Sequence, residues 1–151
     1  MMHPYPHTYQ ASASADPTGA VAVASPRLET LRTAPPAEFG GPGDRWSPET
    51  LLVASVANCF VLTLRALARA ADFGWLRVDC RVEGVLERVE GVARFSSFVT
   101  HAKLIVPSGA DEAAAHKLLE RSERGCLIAN SLLAERHLEA EVTALEAAVV
   151  A

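Results

Sequence analysis

From Leu76 onward the chain alternates with a period of two: Leu76, Val78, Cys80, Val82 and Leu86 share one parity, and Arg77, Asp79, Arg81, Glu83 and Glu87 the other. That period predicts a strand with one face in the core and one in water. Glu90-Gly91 turns it back into a second strand over about 92–106, stopped by Pro107. Upstream, residues 51–64 form the longest apolar run, 14 residues broken by Ser55, Asn58 and Thr63. Apolar side chains pointing all round a helix predict one buried in a protein core, and the run reads as too short and too polar to span a bilayer. Ser47-Pro48-Glu49 suits its start: Ser as N-cap, Pro where a missing N–H costs nothing, Glu toward the positive helix end. Gly74 places its end near Phe73.

The flanking segments are shorter. Residues 7–15 and 20–25 predict two strands joined by the turn Asp16-Pro17-Thr18-Gly19, with a third extended piece over 28–31. The proline- and glycine-rich stretch 34–43 predicts a loop. Ser108-Gly109-Ala110-Asp111 is a capping-box-like start to a second helix, with apolar face Ala115, Leu118, Leu119 and Ser122, and Gly125 is placed to end it. A short helical segment over 126–133 and a last strand over about 138–145 complete the chain. The reading is an α+β fold: an antiparallel sheet with a long central buried helix, in a single domain over 7–151 after a flexible leader, 1–6.

Composition narrows the functional classes. With 151 residues, half of them apolar, the chain can bury one real core. A formal charge of −4 with no basic cluster argues against nucleic-acid binding. Residues 1–10 lack the basic start and apolar run of a secretion signal, so a reducing cytoplasm and free thiols are expected.

The cysteines stand at 59, 80 and 126, without a CxxC or a Cys/His pair at ligand spacing, so a zinc site is not expected. Cys80 sits on the apolar parity of its strand and reads as a small hydrophobe. Cys59 is mid-helix among apolar neighbours, where inert burial and reactivity both stay open. Cys126 follows a helix-ending glycine and begins a further turn, where unpaired N–H groups favour a thiolate.

Two stretches carry a family resemblance. FGGPGDRWSPETLLVASVANCF, residues 39–60, resembles the glycine-rich loop, Ser/Asn-Pro-Glu helix start and Ala-Ala-Cys-Phe of the organic hydroperoxide resistance and osmotically inducible protein C (Ohr/OsmC) family. ERSERGCLIANSL, residues 120–132, resembles its Gly-Cys-Pro-Val-Ser segment. The resemblance implies an intertwined homodimer and a thiol peroxidase without metal or cofactor. In it the Cys59 thiolate attacks an organic hydroperoxide, Cys126 resolves the sulfenic acid as a disulfide, and an external dithiol, of the lipoyl type in the family, resets the pair.

In that family an arginine held by a glutamate supports the reactive thiolate. Glu49 stands at the glutamate's position, about 15 Å along the helix from Cys59. Antiparallel packing of two such helices would bring it toward the partner's thiol. The arginine is missing from both family positions, where this chain has the turn 16–19 and Glu38; Arg45 is the nearest substitute and Arg32 the next. Asn58 and Leu127 also depart from the family's Ala and Pro. Three readings follow: a hydroperoxide reductase, an OsmC-like dimer that binds a small molecule or thiol compound without efficient turnover, and a structural dimer with incidental cysteines.

Overall fold

The computed structural model describes residues 2–146, in two compact units divided after Leu52. In the first, β1 (Ser12–Ser14), β2 (Val21–Ala24) and β3 (Leu31–Thr33) form an antiparallel sheet in sequence order. The turn between β1 and β2 falls where Asp16-Pro17-Thr18-Gly19 predicts it, with Gly19 at φ 96°. The third strand begins later than the 28–31 expected. A turn closed by Leu28 N–H to the Ser25 carbonyl (3.1 Å), with Arg27 at φ 64°, occupies that stretch instead. The loop after β3 contains one 3-10 turn, Ala37–Phe39, and is closed by Ala34 N–H to the Trp46 carbonyl at 3.0 Å. Gly41 is obligatory here, because a Cβ would sit 1.7 Å from the Pro35 carbonyl oxygen.

Helix α1 (Pro48–Ala70) starts as its sequence predicts. Ser47 Oγ accepts from Thr50 N–H at 3.1 Å, and Thr50 Oγ1 accepts from Ser47 N–H at 2.8 Å, a reciprocal cap with threonine in the usual Glu position. The helix stops short of Phe73. Asp72, at φ 50°, takes the left-handed position, Phe73 N–H bonds Ala68 O (2.8 Å) and Asp72 N–H bonds Arg69 O (3.2 Å), so the end is a Schellman motif without glycine. With 23 residues and a mean hydropathy of 1.9 over an 18-residue stretch, α1 is long and apolar enough to cross a membrane, so the length argument drawn from residues 51–64 does not hold. What its burial shows is one face, Val56, Phe60, Leu64 and Ala68, turned into the protein.

The second unit holds β4 (Arg77–Val89), β5 (Val92–Pro107), α2 (Glu112–Gly125), α3 (Leu127–Asn130) and β6 (Glu135–Leu145). Phe60, Leu64 and Ala68 of α1 share a core with Ala102, Leu104 and Val106 of β5 and Ala115, Leu118 and Leu119 of α2. β4 and β5 pair antiparallel, with a register shift at Val85/Leu86. The sheet is not wholly antiparallel as expected: β6 runs parallel to β5. The reason is the connection. Two helices, rather than a tight turn, carry the chain from β5 to β6 and return it to the end where β5 began. The cap of α2 falls three residues later than the box over 108–111 implies: Asp111 itself is the N-cap and accepts from Ala114 N–H at 3.0 Å. α3 is one turn, shorter than the 126–133 expected, and the chain is extended again by Glu135.

Candidate active site

Cys126 lies between α2 and α3 and is 2% exposed. Its Sγ faces the Val56 carbonyl of α1 at 3.8 Å. Val56 stands three residues before Cys59, one helical turn away, so this contact brings Cys126 to the stretch of α1 that carries Cys59. Burial pushes the Cys126 thiol up to about 11; the Ala129 N–H pulls down, the Cys59 side chain raises it further, and the Arg136 charge lowers it. The Cys59 side chain is therefore close enough to act on the Cys126 proton. Cys59 is half-buried, with Sγ 4.0 Å from Thr63 Oγ1 one turn on. It lines an open, mainly apolar groove of about 530 Å³ with Asn58, Leu62, Thr63, Leu127 and Ile128.

Gly125 has a different task from the one expected. It is the last residue of α2 and is not left-handed; Cys126, at φ −66°, follows it as the cap. What favours glycine is proximity, since a Cβ there would lie 3.3 Å from Thr63 Cγ2, a tight contact that the neighbour would have to ease by a few tenths of an ångström. A side chain at 125 would press α2 away from α1 beside the two thiols.

Cys80 is half-buried and packs against the core, in keeping with the hydrophobe predicted. Burial, and secondarily the charge of Cys126, push its thiol up to about 11. All three cysteines are free.

One residue near Cys126 was missed. Arg136 Nε donates to Glu123 Oε1 at 2.6 Å, Nη1 to Asn130 Oδ1 at 2.6 Å and Nη2 to the Glu123 carbonyl. A sequence signal exists: Arg136 falls on the same parity of β6 as Leu138, Ala140 and Val142, the half-buried side, while Glu135, His137, Glu139 and Glu141 are exposed. An arginine on a strand's inward parity needs a partner there. Placing the strand start at 138 hid it.

The remaining candidates belong to the first unit. Glu49 is half-buried, and its Oε2 is buried without a hydrogen-bond partner among the described residues. Arg45 and Arg32 are exposed and share a shallow depression of about 510 Å³ with Trp46 and Thr50. Glu38 stands in the 3-10 turn and Asp16 in the first hairpin turn, so acidic residues occupy both places where the family resemblance called for arginine. Among the described residues no three His, Cys, Asp or Glu side chains gather as a metal site.

Fold and site together define an α+β protein with a long central helix bearing one thiol and a second thiol lodged against that helix. The family profile described as OsmC-like protein matches residues 41–141, and the chain belongs to that family. It is 25% identical over 111 residues to the uncharacterized protein YmaD of Bacillus subtilis (strain 168), covering 72% of this chain and 74% of that one. Its fold is similar to an OsmC-like protein of unknown function from Vibrio cholerae, at TM-score 0.81 and 15% identity, over 89% of this chain and 99% of the other. It is also similar to an organic hydroperoxide resistance protein OsmC from Legionella pneumophila, at TM-score 0.72 and 24% identity, over 93% and 99%.

Proposed function

We propose that the protein is a homodimeric, cytoplasmic thiol peroxidase that reduces organic hydroperoxides. The observation that carries this reading is the lodging of Cys126 against α1, where its thiol responds to Cys59. The Cys59 thiolate attacks one peroxide oxygen, the O–O bond breaks, and the alkoxide leaves and takes a proton as the alcohol. Cys59 is then a neutral sulfenic acid. Loss of its negative charge removes one of the influences that hold the proton on Cys126, so oxidation of the first thiol favours ionisation of the second. The Cys126 thiolate attacks the sulfenic sulfur, hydroxide leaves and is protonated to water, and a disulfide joins the pair. An external dithiol returns both cysteines to thiols and becomes a disulfide itself.

The groove beside Cys59 favours apolar peroxides over hydrogen peroxide, because Leu62, Leu127 and Ile128 offer contact to an alkyl chain. Glu49 pairs with a cation in the assembled dimer, consistent with its buried oxygen that lacks a donor. Arg45 takes this role, with Arg32 as the alternative, and neither has a carboxylate partner among the described residues. Arg45→Ala should lower turnover several-fold and Arg45→Lys should restore part of it.

A second reading is favoured by the acidic residues where arginine is called for: an OsmC-like dimer that binds a small apolar or thiol compound in the same groove without efficient turnover. Peroxide consumption with a dithiol reductant, comparing an alkyl hydroperoxide with hydrogen peroxide, separates the two. The first reading expects dithiol-dependent loss of the alkyl hydroperoxide that Cys59→Ser abolishes. Binding without consumption supports the second.

A further inference from the structure

The chain from Glu123 to Asn130 makes a sharp corner, and Cys126 sits inside it. Its backbone bonds are local: Cys126 N–H reaches the Glu123 carbonyl at 3.3 Å, Asn130 N–H reaches the Cys126 carbonyl at 2.9 Å, and Asn130 Nδ2 donates to the Arg124 carbonyl at 3.1 Å. One side chain from outside ties the two ends together. The Arg136 guanidinium takes both the carboxylate and the carbonyl of Glu123 at the start of the corner, and the side-chain oxygen of Asn130 at its end. The ion pair is sheltered, with Arg136 and Glu123 side chains 21% and 19% exposed. Three directed bonds from one planar group fix position in a way that a single ammonium does not.

We infer that Arg136 is the positioning residue of the second thiol: it clamps both ends of the corner that carries Cys126 and brings a positive charge to that corner. The inference rests on the thiol-pair reading above. The groups that act on Cys126 are Cys59 of α1, the Ala129 N–H of α3 and Arg136 of β6, while Glu123 of α2 neutralises the arginine directly. Arg136 lowers the Cys126 thiol against the effect of burial, the sense needed for Cys126 to act as a thiolate when it attacks a sulfenic acid, and to depart as one when the disulfide is reduced. The clamp keeps the thiol against α1; the charge makes it usable there.

The test is alkylation of Cys126 by iodoacetamide, followed by peptide mass, in the full chain with Cys59→Ser, at about pH 9, near the ordinary thiol range. Arg136→Gln should slow the reaction several-fold, since the charge is lost. Glu123→Gln should accelerate it, since the guanidinium is no longer neutralised, and Arg136→Lys, which keeps the charge but gives up the three directed bonds, should react faster than Arg136→Gln. A clamp without an electrostatic role gives another pattern: either glutamine variant loosens the corner, exposes the buried thiol and accelerates alkylation. Acceleration in both, or no change in either, overturns the inference. If circular dichroism shows Arg136→Gln unfolded, the pH profile of alkylation in Glu123→Gln decides: a midpoint moved to lower pH supports the inference, and a rate raised without a shift of the midpoint overturns it. Peroxide consumption by the parent chain is measured separately; its absence would defeat the peroxidase reading while leaving the alkylation order to report on Arg136.

Discussion

A Cβ on Gly125 would stand 3.3 Å from the Cγ2 of Thr63, so the end of α2 lies close against α1 and a side chain there would crowd the threonine methyl. Thr63 is the residue one turn beyond Cys59, and Gly125 is the residue before Cys126. The glycine thus sets the spacing between the segments that carry the two thiols.

Enlarging residue 125 should therefore separate them. Gly125→Val is expected to destabilise the fold by roughly 1–3 kcal/mol through overpacking, and to lower the yield of disulfide formed after peroxide treatment. Gly125→Ala should do less, and Thr63→Ser, which removes the opposing methyl, should relieve it. Urea unfolding of the two single variants and the double variant gives the coupling directly; additive effects would show that the contact is not the cause.

The Ser47 cap is expected to matter to α1 out of proportion to its size. Ser47 is 1% exposed, and its hydroxyl accepts the Thr50 N–H. Ser47→Ala should cost about 1–2 kcal/mol in denaturant unfolding, whereas Ser47→Asp, which keeps an acceptor, should lose less.

Stability should fall in alkali. The thiols of Cys80 and Cys126 titrate at about 11 in the folded chain, against about 8.5 for a free cysteine. Between those values the unfolded chain has released protons that the folded one retains. The stabilisation is then complete below about pH 8.5 and is lost as pH rises to about 11. Urea titrations across that range should show the decline, with a shallower slope in Cys80→Ala. A slope unchanged by that substitution would remove the Cys80 contribution.

Much of the framework was legible before the structure because it rests on local chemistry. Ser47-Pro48 marks a helix start by satisfying orphan N–H groups, the cap of α2 lies within the stretch 108–111, and the period of two holds for Val78, Cys80 and Val82, while Leu76, before the strand, and Leu86, at the register shift, are exposed. What escaped was set by partners distant in sequence. Gly125 looked like a left-handed terminator, yet Thr63, 62 positions earlier, is what favours it. Arg136 looked like the end of a loop because its partners, Glu123 and Asn130, lie on other elements. The parallel pairing of β6 depends on where the intervening helices pack, which no pattern within residues 135–145 encodes. Cys59 and Cys126 stood out as candidates, but only the Val56 contact shows how the second reaches the helix of the first.

The apolar groove makes a prediction about assembly. Leu62 and Leu127 are 51% and 63% exposed on the surface that carries Cys59. Association of two chains through this side of α1 would cover such side chains, and sedimentation should give a dimer that persists on dilution through the micromolar range. Leu62→Glu should weaken it by placing a charge in the contact. A monomer in the unsubstituted protein would remove both the dimer and the cross-chain role of Glu49.

The central claim is that Cys59 and Cys126 form one redox pair, and the most direct test is to map the bond that forms. The reduced protein is treated with one equivalent of an alkyl hydroperoxide, quenched with an alkylating agent and digested without reductant for mass spectrometry. The account predicts a peptide pair joined through Cys59 and Cys126, with Cys80 recovered as an alkylated thiol, and in Cys126→Ser a Cys59 advanced to sulfinic acid. A disulfide between Cys59 and Cys80, or three alkylated thiols and no oxidation, would contradict it.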